Sequence, residues 1–86
     1  MQTVTIQVRY FAGARSAAGV PEETVAVQAG STISDVLATL GTRHGEALIR
    51  VLTAASYLVD GVAVRDKGNV VTDRIQLDVL PPFAGG

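Results

Sequence analysis

Two stretches of alternation, one near each end of the chain, limit the folds open to it. Residues 3–11 read Thr-Val-Thr-Ile-Gln-Val-Arg-Tyr-Phe, so Val4, Ile6, Val8 and Tyr10 share one face while Thr3, Thr5, Gln7 and Arg9 share the other. A period of two is the mark of a strand buried on one side. By parity Phe11 falls on the polar face. Ile75-Gln76-Leu77-Asp78-Val79 repeats the pattern, with Ile75, Leu77 and Val79 turned inward and Arg74, Gln76, Asp78 and Leu80 outward. A sheet with one apolar face needs a second layer to cover it. Thr32-Ile33-Ser34-Asp35 has the spacing of a capping box, and Ile33, Val36, Leu37 and Leu40 follow at helical intervals. This predicts a main helix running to about Arg43-His44 and stopped by Gly45. Gly41 inside it costs about 1 kcal/mol against alanine, which blurs the helix end.

The remaining segments fill in around that frame. Ala12 to Ala18 is alanine-rich and reads as a short helix, with Gly19 as its stop and Pro21 preventing any continuation. Glu22 and Glu23 read as solvated charges rather than paired catalytic acids. Thr24 to Val27 is a short strand and Ala29-Gly30 a turn. Glu46 to Thr53 has an ambiguous period and reads as a second helical segment. Asp60-Gly61 between Tyr57–Val59 and Val62–Val64 is a two-residue hairpin signal, and residues 65–69 make a polar turn. The order is β-β-α-β-β with helical turns inserted, an α+β fold. First and last strands are expected to pair in parallel at the centre of a mixed sheet, with the main helix across one face.

Composition removes several functions. Eighty-six residues make one domain, and 48% hydrophobic content marks it as globular. With 5% aromatic residues the core must come from Val, Leu, Ile and Ala. Seven basic against eight acidic residues leave no basic patch for nucleic acid. No apolar run approaches the ~20 residues of a membrane span, and no secretory leader pattern opens the chain. The chain has no cysteine, so disulfides and thiol catalysis are excluded, and the expected setting is soluble and cytoplasmic. No metal site is expected, since His44 is the single histidine; its place near a helix C-terminus gives it a structural reading. Asp60, Asp66, Asp73 and Asp78 read as turn and surface residues. Ser16, Ser31, Ser34 and Ser56 have no histidine or lysine at a suggestive spacing, and neither a phosphate-binding Gly-Lys loop nor GxGxxG is present. An independent enzyme active site is not supported.

The last six residues carry the chemistry instead. A domain over residues 1–80 is followed by a tail, 81–86, of Pro81, Pro82, Phe83, Ala84, Gly85 and Gly86. The prolines favour a stiff, extended exit, and the glycines strip side chains from beside a carboxylate. Extended, six residues reach roughly 20 Å. The expected reactive group is the α-carboxylate of Gly86. If the first and last strands are neighbours, Phe11 and Leu80 form an exposed apolar pair where the tail leaves, a candidate partner surface. The alternative is that either side chain folds back under the short helix. Arg15 could read a partner's carboxylate, or be solvated like most surface arginines.

Arg9-Tyr10-Phe11-Ala12-Gly13-Ala14-Arg15 after the first strand, the capped helix, and the ending Leu80-Pro81-Pro82-Phe83-Ala84-Gly85-Gly86 together resemble the small sulfur-carrier subunit of molybdopterin synthase. That subunit belongs to the ubiquitin-like β-grasp sulfur carriers, the MoaD/ThiS family, which also serve thiazole synthesis. The resemblance spans the whole chain. It departs before the last strand, where many members have Asp-Gly-Asp and this chain has Val71-Thr72-Asp73-Arg74. The resemblance implies a protein that is not a complete enzyme and binds no cofactor itself. An E1-like enzyme would use ATP to adenylate Gly86, and a sulfur donor would convert the adenylate to a thiocarboxylate. The large catalytic subunit, in a heterotetramer of two small and two large chains, would receive the tail and pass sulfur to precursor Z. Carriage for thiazole or cysteine synthesis, a ubiquitin-like modifier and a plain binding module are the alternatives.

Overall fold

A computed structural model describes residues 2–82. Five strands form one mixed sheet in the order β2-β1-β5-β3-β4, with three helices interleaved along the chain. The strands are β1 (Thr3–Tyr10), β2 (Glu22–Gln28), β3 (Ser56–Val59), β4 (Val62–Ala63) and β5 (Gln76–Leu80). The helices are α1 (Gly13–Ala18), α2 (Ile33–His44) and α3 (Glu46–Ala54). β1 and β5 run parallel side by side, Val8 opposite Leu77 and Tyr10 opposite Val79, and the other pairings are antiparallel. The expected parallel centre is therefore present. Three strands follow the helices, one more than the order β-β-α-β-β allows, because the hairpin and the closing strand both join the sheet. β2 also begins two residues earlier than expected, directly after Pro21, whose carbonyl accepts the Tyr10 N–H at 2.9 Å.

Alternation decides which side is covered. Ile6, Val8, Tyr10, Val25, Val27, Tyr57, Leu77 and Val79 are buried together with Ala14, Ile33, Val36, Leu40, Leu48 and Leu52 from the helices. The helical layer is thus shared, and α3 contributes Leu48 and Leu52 where the sequence period was ambiguous. Tyr57 ties the two layers: its buried hydroxyl donates to the Leu52 carbonyl, and burial pushes the phenol up to about 12.

Local signals act as their chemistry requires. The Thr32 hydroxyl accepts the Asp35 N–H at 3.2 Å while the Asp35 carboxylate accepts the Thr32 N–H at 2.9 Å, a complete capping box. Asp60 and Gly61 both take positive φ, 48° and 84°, as a type I′ hairpin turn demands. The departing turn before β5 needs no glycine: Arg74 adopts φ 66°, its N–H donates to the Thr5 carbonyl at 2.7 Å, and Asp73 accepts the Thr5 N–H at 2.7 Å.

Gly41 is buried where α2 meets α3, and a methyl added there would lie 2.8 Å from Ile49 Cγ1. Ile49 is β-branched and has one favoured rotamer in a helix, so it yields poorly. Overpacking of ~1–3 kcal/mol outweighs the ~1 kcal/mol gain in helix propensity. Gly41→Ala is expected to destabilise by about 1 kcal/mol in urea titration. In an Ile49→Ala background the same change is expected to stabilise; persistence of the loss there would remove the packing explanation.

Candidate functional site

The pairing registers place the outward residues of three central strands in rows. Arg9, Asp78 and Leu58 form one row, since Arg9 lies opposite Asp78 and Asp78 opposite Leu58. The next row, nearer the exit of β5, is completed by Leu80 opposite Ser56 and by Phe11, whose N–H donates to the Val79 carbonyl at 3.2 Å. Phe11, Ala12 and Gly13 on one side and Ser56, Leu80, Pro81 and Pro82 on the other wall a largely apolar cleft of about 420 Å³. The structure therefore brings Phe11 and Leu80 together beside the start of the tail. Phe11 is 37% exposed, whereas Leu80 is half-buried rather than fully exposed. Pro81 is half-buried and Pro82 exposed. Phe83, Ala84, Gly85 and Gly86 lie outside the described residues.

Arg15 is exposed on α1 and forms no ion pair among the described residues. It borders a smaller hollow of about 260 Å³ shared with Arg9, Phe11 and Glu22, on the other flank of the Phe11 ring.

Asp78 requires a correction. It is not a surface residue but 5% exposed, the one buried charged side chain among the described residues. A carboxylate held out of water needs a partner, and Arg9 supplies a two-pronged one, Nε donating at 2.8 Å and Nη2 at 3.1 Å. The same guanidinium carbon lies 5.4 Å from the Phe11 ring centroid. Opposite charges at outward positions of two strands expected to be neighbours were the signal for this pair. Ala12, next to Phe11, sits at φ 49° and ψ −124°, a region that suits glycine and strains a residue with a Cβ. Nothing in the sequence marks that strain.

Glu23 also departs from expectation: it is not solvated. Its carboxylate receives the Tyr10 hydroxyl at 2.6 Å, Arg43 Nη1 at 2.9 Å and His44 Nε2, which must carry its proton on that nitrogen to donate. His44 is therefore structural through this contact as well as through its helix position. Burial is the largest single influence on Glu23 and pushes its carboxyl up. The hydrogen bonds from Tyr10, His44 and Arg43 together outweigh it and hold Glu23 below its ordinary 4.5. A folded value below the unfolded one stabilises above pH 4.5, and that stability is lost as pH falls through the folded value. Arg43 is 45% exposed, so its share is screened. Glu23→Gln is expected to lose about 1–2 kcal/mol at neutral pH. Its urea midpoint should also fall less than that of the unsubstituted chain between about pH 5 and 3. Parallel pH profiles would show that Glu23 carries none of the acid sensitivity.

Among the described residues no three His, Asp or Glu gather as metal ligands, and no helix is long and apolar enough to cross a membrane. The features that stand together are an apolar cleft, a central strand that ends in it, and the start of a Pro-Pro tail.

Comparison with known proteins gives that arrangement a family. The ThiS family matches residues 8–86. The chain is 32% identical over 82 residues to a molybdopterin synthase sulfur carrier subunit of Chlamydomonas reinhardtii, covering 94% of this chain and 98% of that protein. A putative molybdopterin converting factor subunit 1 from Pyrococcus furiosus superposes with a TM-score of 0.83 at 26% identity, over 93% of this chain and 99% of the other. Small archaeal modifier protein 1 from Methanosarcina acetivorans superposes with a TM-score of 0.83 at 25% identity over 100% of both chains. With its five-stranded β-grasp sheet, the chain belongs to the ThiS family of small sulfur carriers and is homologous to molybdopterin synthase small subunits.

Proposed function

We propose that this carrier serves molybdopterin synthesis, with the Gly86 carboxylate as the loading site. The observation that carries the reading is the 32% identity, across nearly the whole chain, to a molybdopterin synthase sulfur carrier subunit. The fold fits the role. β5 is held on both sides by β1 and β3, so the start of the tail has a fixed direction beside an apolar cleft. Phe11 and Leu80 offer that cleft to the large catalytic subunit, with Arg15 on its flank.

The chemistry divides between partners. An E1-like enzyme supplies ATP; the Gly86 carboxylate attacks the α-phosphorus and displaces pyrophosphate, giving an acyl-adenylate. Sulfur at the sulfide oxidation level, delivered by a donor, displaces AMP and leaves a terminal thiocarboxylate. That sulfur passes to precursor Z in the large subunit and the carboxylate is regenerated. The carrier's own contribution is a narrow tail and a docking face.

The test uses the absence of cysteine. The chain is co-expressed with its own organism's activating enzyme, treated with a thiol alkylator, and weighed intact. One alkyl group, fragmenting to Gly86, is the expected result, and none should appear without the enzyme. The loaded chain, mixed with the large subunit and precursor Z, should yield molybdopterin. Loading without that product would reassign the carrier to another sulfur pathway, such as thiazole or cysteine synthesis. The resemblance to a protein named as an archaeal modifier favours a second reading, attachment of Gly86 to lysines. It would appear as higher-mass adducts of other proteins in the same cells.

A further inference from the structure

We propose that Arg9 and Asp78 are positioning residues: their ion pair sets the Phe11 ring and so shapes the cleft for an apolar side chain of the large catalytic subunit. The proposal rests on reading that cleft as the subunit's docking face. The pair lies on the sheet face opposite the helices, in the row next to Leu80 and Phe11. Asp78 is 5% exposed and accepts two hydrogen bonds from Arg9. A guanidinium gripped through Nε and Nη2 is fixed in plane and orientation, which a lysine could not reproduce.

That fixed plane bears on Phe11. The ring centroid is 5.4 Å from the guanidinium carbon, within reach of a cation–π contact. The main chain of Phe11 is already held by its N–H bond to Val79 and by the following turn, where the Ala14 N–H donates to the Phe11 carbonyl at 2.9 Å. The ring is the part still to be set, because it is 37% exposed and excluded from the core. It borders both hollows, the apolar cleft and the flank that holds Arg15. An apolar pair at 9 and 78 could fill the same space at little cost to stability. The consequence of the ion pair is therefore geometric: it removes alternatives for a ring that a partner must meet in one orientation.

The chain has two phenylalanines, Phe11 and Phe83, so the full-length protein labelled with 4-fluorophenylalanine gives two fluorine resonances, assigned with Phe83→Leu. Arg9→Gln and Asp78→Asn are each expected to move the Phe11 resonance towards its position in urea, by similar amounts. The double variant should move it no further, and the Phe83 resonance should stay in place. Binding to the large subunit, measured by calorimetry, is expected to weaken about tenfold in either single variant and no more in the double. In a Phe11→Ala background, Arg9→Gln should change affinity by less than about twofold, because the pair acts through the ring. Circular dichroism confirms that each variant is folded, and Arg9→Lys replaces any that is not, with a partial shift expected.

An unmoved Phe11 resonance overturns the proposal. So does an Arg9→Gln effect that persists undiminished without the Phe11 ring, since Arg9 would then touch the partner directly. If the unsubstituted chain does not bind the large subunit, the docking reading fails and takes the pair's role in docking with it. The fluorine shifts still decide, independently, whether the pair holds the ring.

Discussion

Deleting Gly86 is expected to abolish sulfur loading while leaving thermal unfolding where it was. The described core closes at Val79 in β5, before the tail starts. Glycine has no side chain, so its loss takes no side-chain atoms from the core. The chemistry has no such tolerance. Without Gly86 the terminal carboxylate recedes by roughly 3.5 Å, one residue of extended chain. Displacements of about 1 Å already cost an active site on the order of a hundredfold in rate. Alkylation read by intact mass should therefore vanish with the activating enzyme present, while the urea midpoint stays put. Undiminished labelling of the shortened chain would move the loading site away from Gly86. A stability loss above about 1 kcal/mol would mean that the tail contributes to the fold.

Leu77→Ala is the opposite experiment. Leu77 is fully buried in β5, flanked by Val8 of β1 and Val59 of β3. Central strands packed on both edges cannot close a hole by shifting, so both the lost transfer energy and the cavity are felt, about 3–4 kcal/mol. Domains of this size have a total stability of roughly 4–13 kcal/mol, so the change removes much of the margin. The melting temperature should fall by about 15–25 °C. Below that transition the variant should still be loaded, because the carboxylate and its approach are intact. A loss under about 1 kcal/mol would show that the core around Leu77 relaxes. A cold, folded variant that refuses sulfur would tie loading to the interior of the sheet.

Alternation made the sheet legible, because a period of two says which side chains share a face. The parallel pairing of first and last strands followed from the element order, and the meeting of Phe11 with Leu80 from parity once those strands are neighbours. The capping box at Thr32 and the turn at Asp60-Gly61 were legible because each is a local device, complete within four residues. The partners of Glu23 were not. Arg43 and His44 come from the far end of α2, about twenty positions away, and no spacing rule connects them to an edge strand. Asp78 was misread because outward parity was taken as exposure; Arg9 and Leu58 on the flanking strands cover it. The strained backbone at Ala12 lies in the two-residue connection from β1 to α1, and alanine gives no hint of it.

The place of β5 has a consequence for synthesis. A ribosome releases β1, β2, α2, α3 and the β3–β4 hairpin first, and none of them can complete the sheet. Its middle position stays open until residues 76–80 emerge. Until then the facing edges of β1 and β3 are unpaired, the kind of edge that recruits other chains. Pairing the first strand with the last also closes a loop of almost the whole chain, which slows folding relative to helical proteins of similar length. A fragment interrupted before β5 would have no finished core, and would be left to the proteases that clear unfolded chains. Only a chain translated through its central strand can fix where Pro81 and Pro82 leave the sheet, so the topology acts as a proofreading step on the carrier's own production.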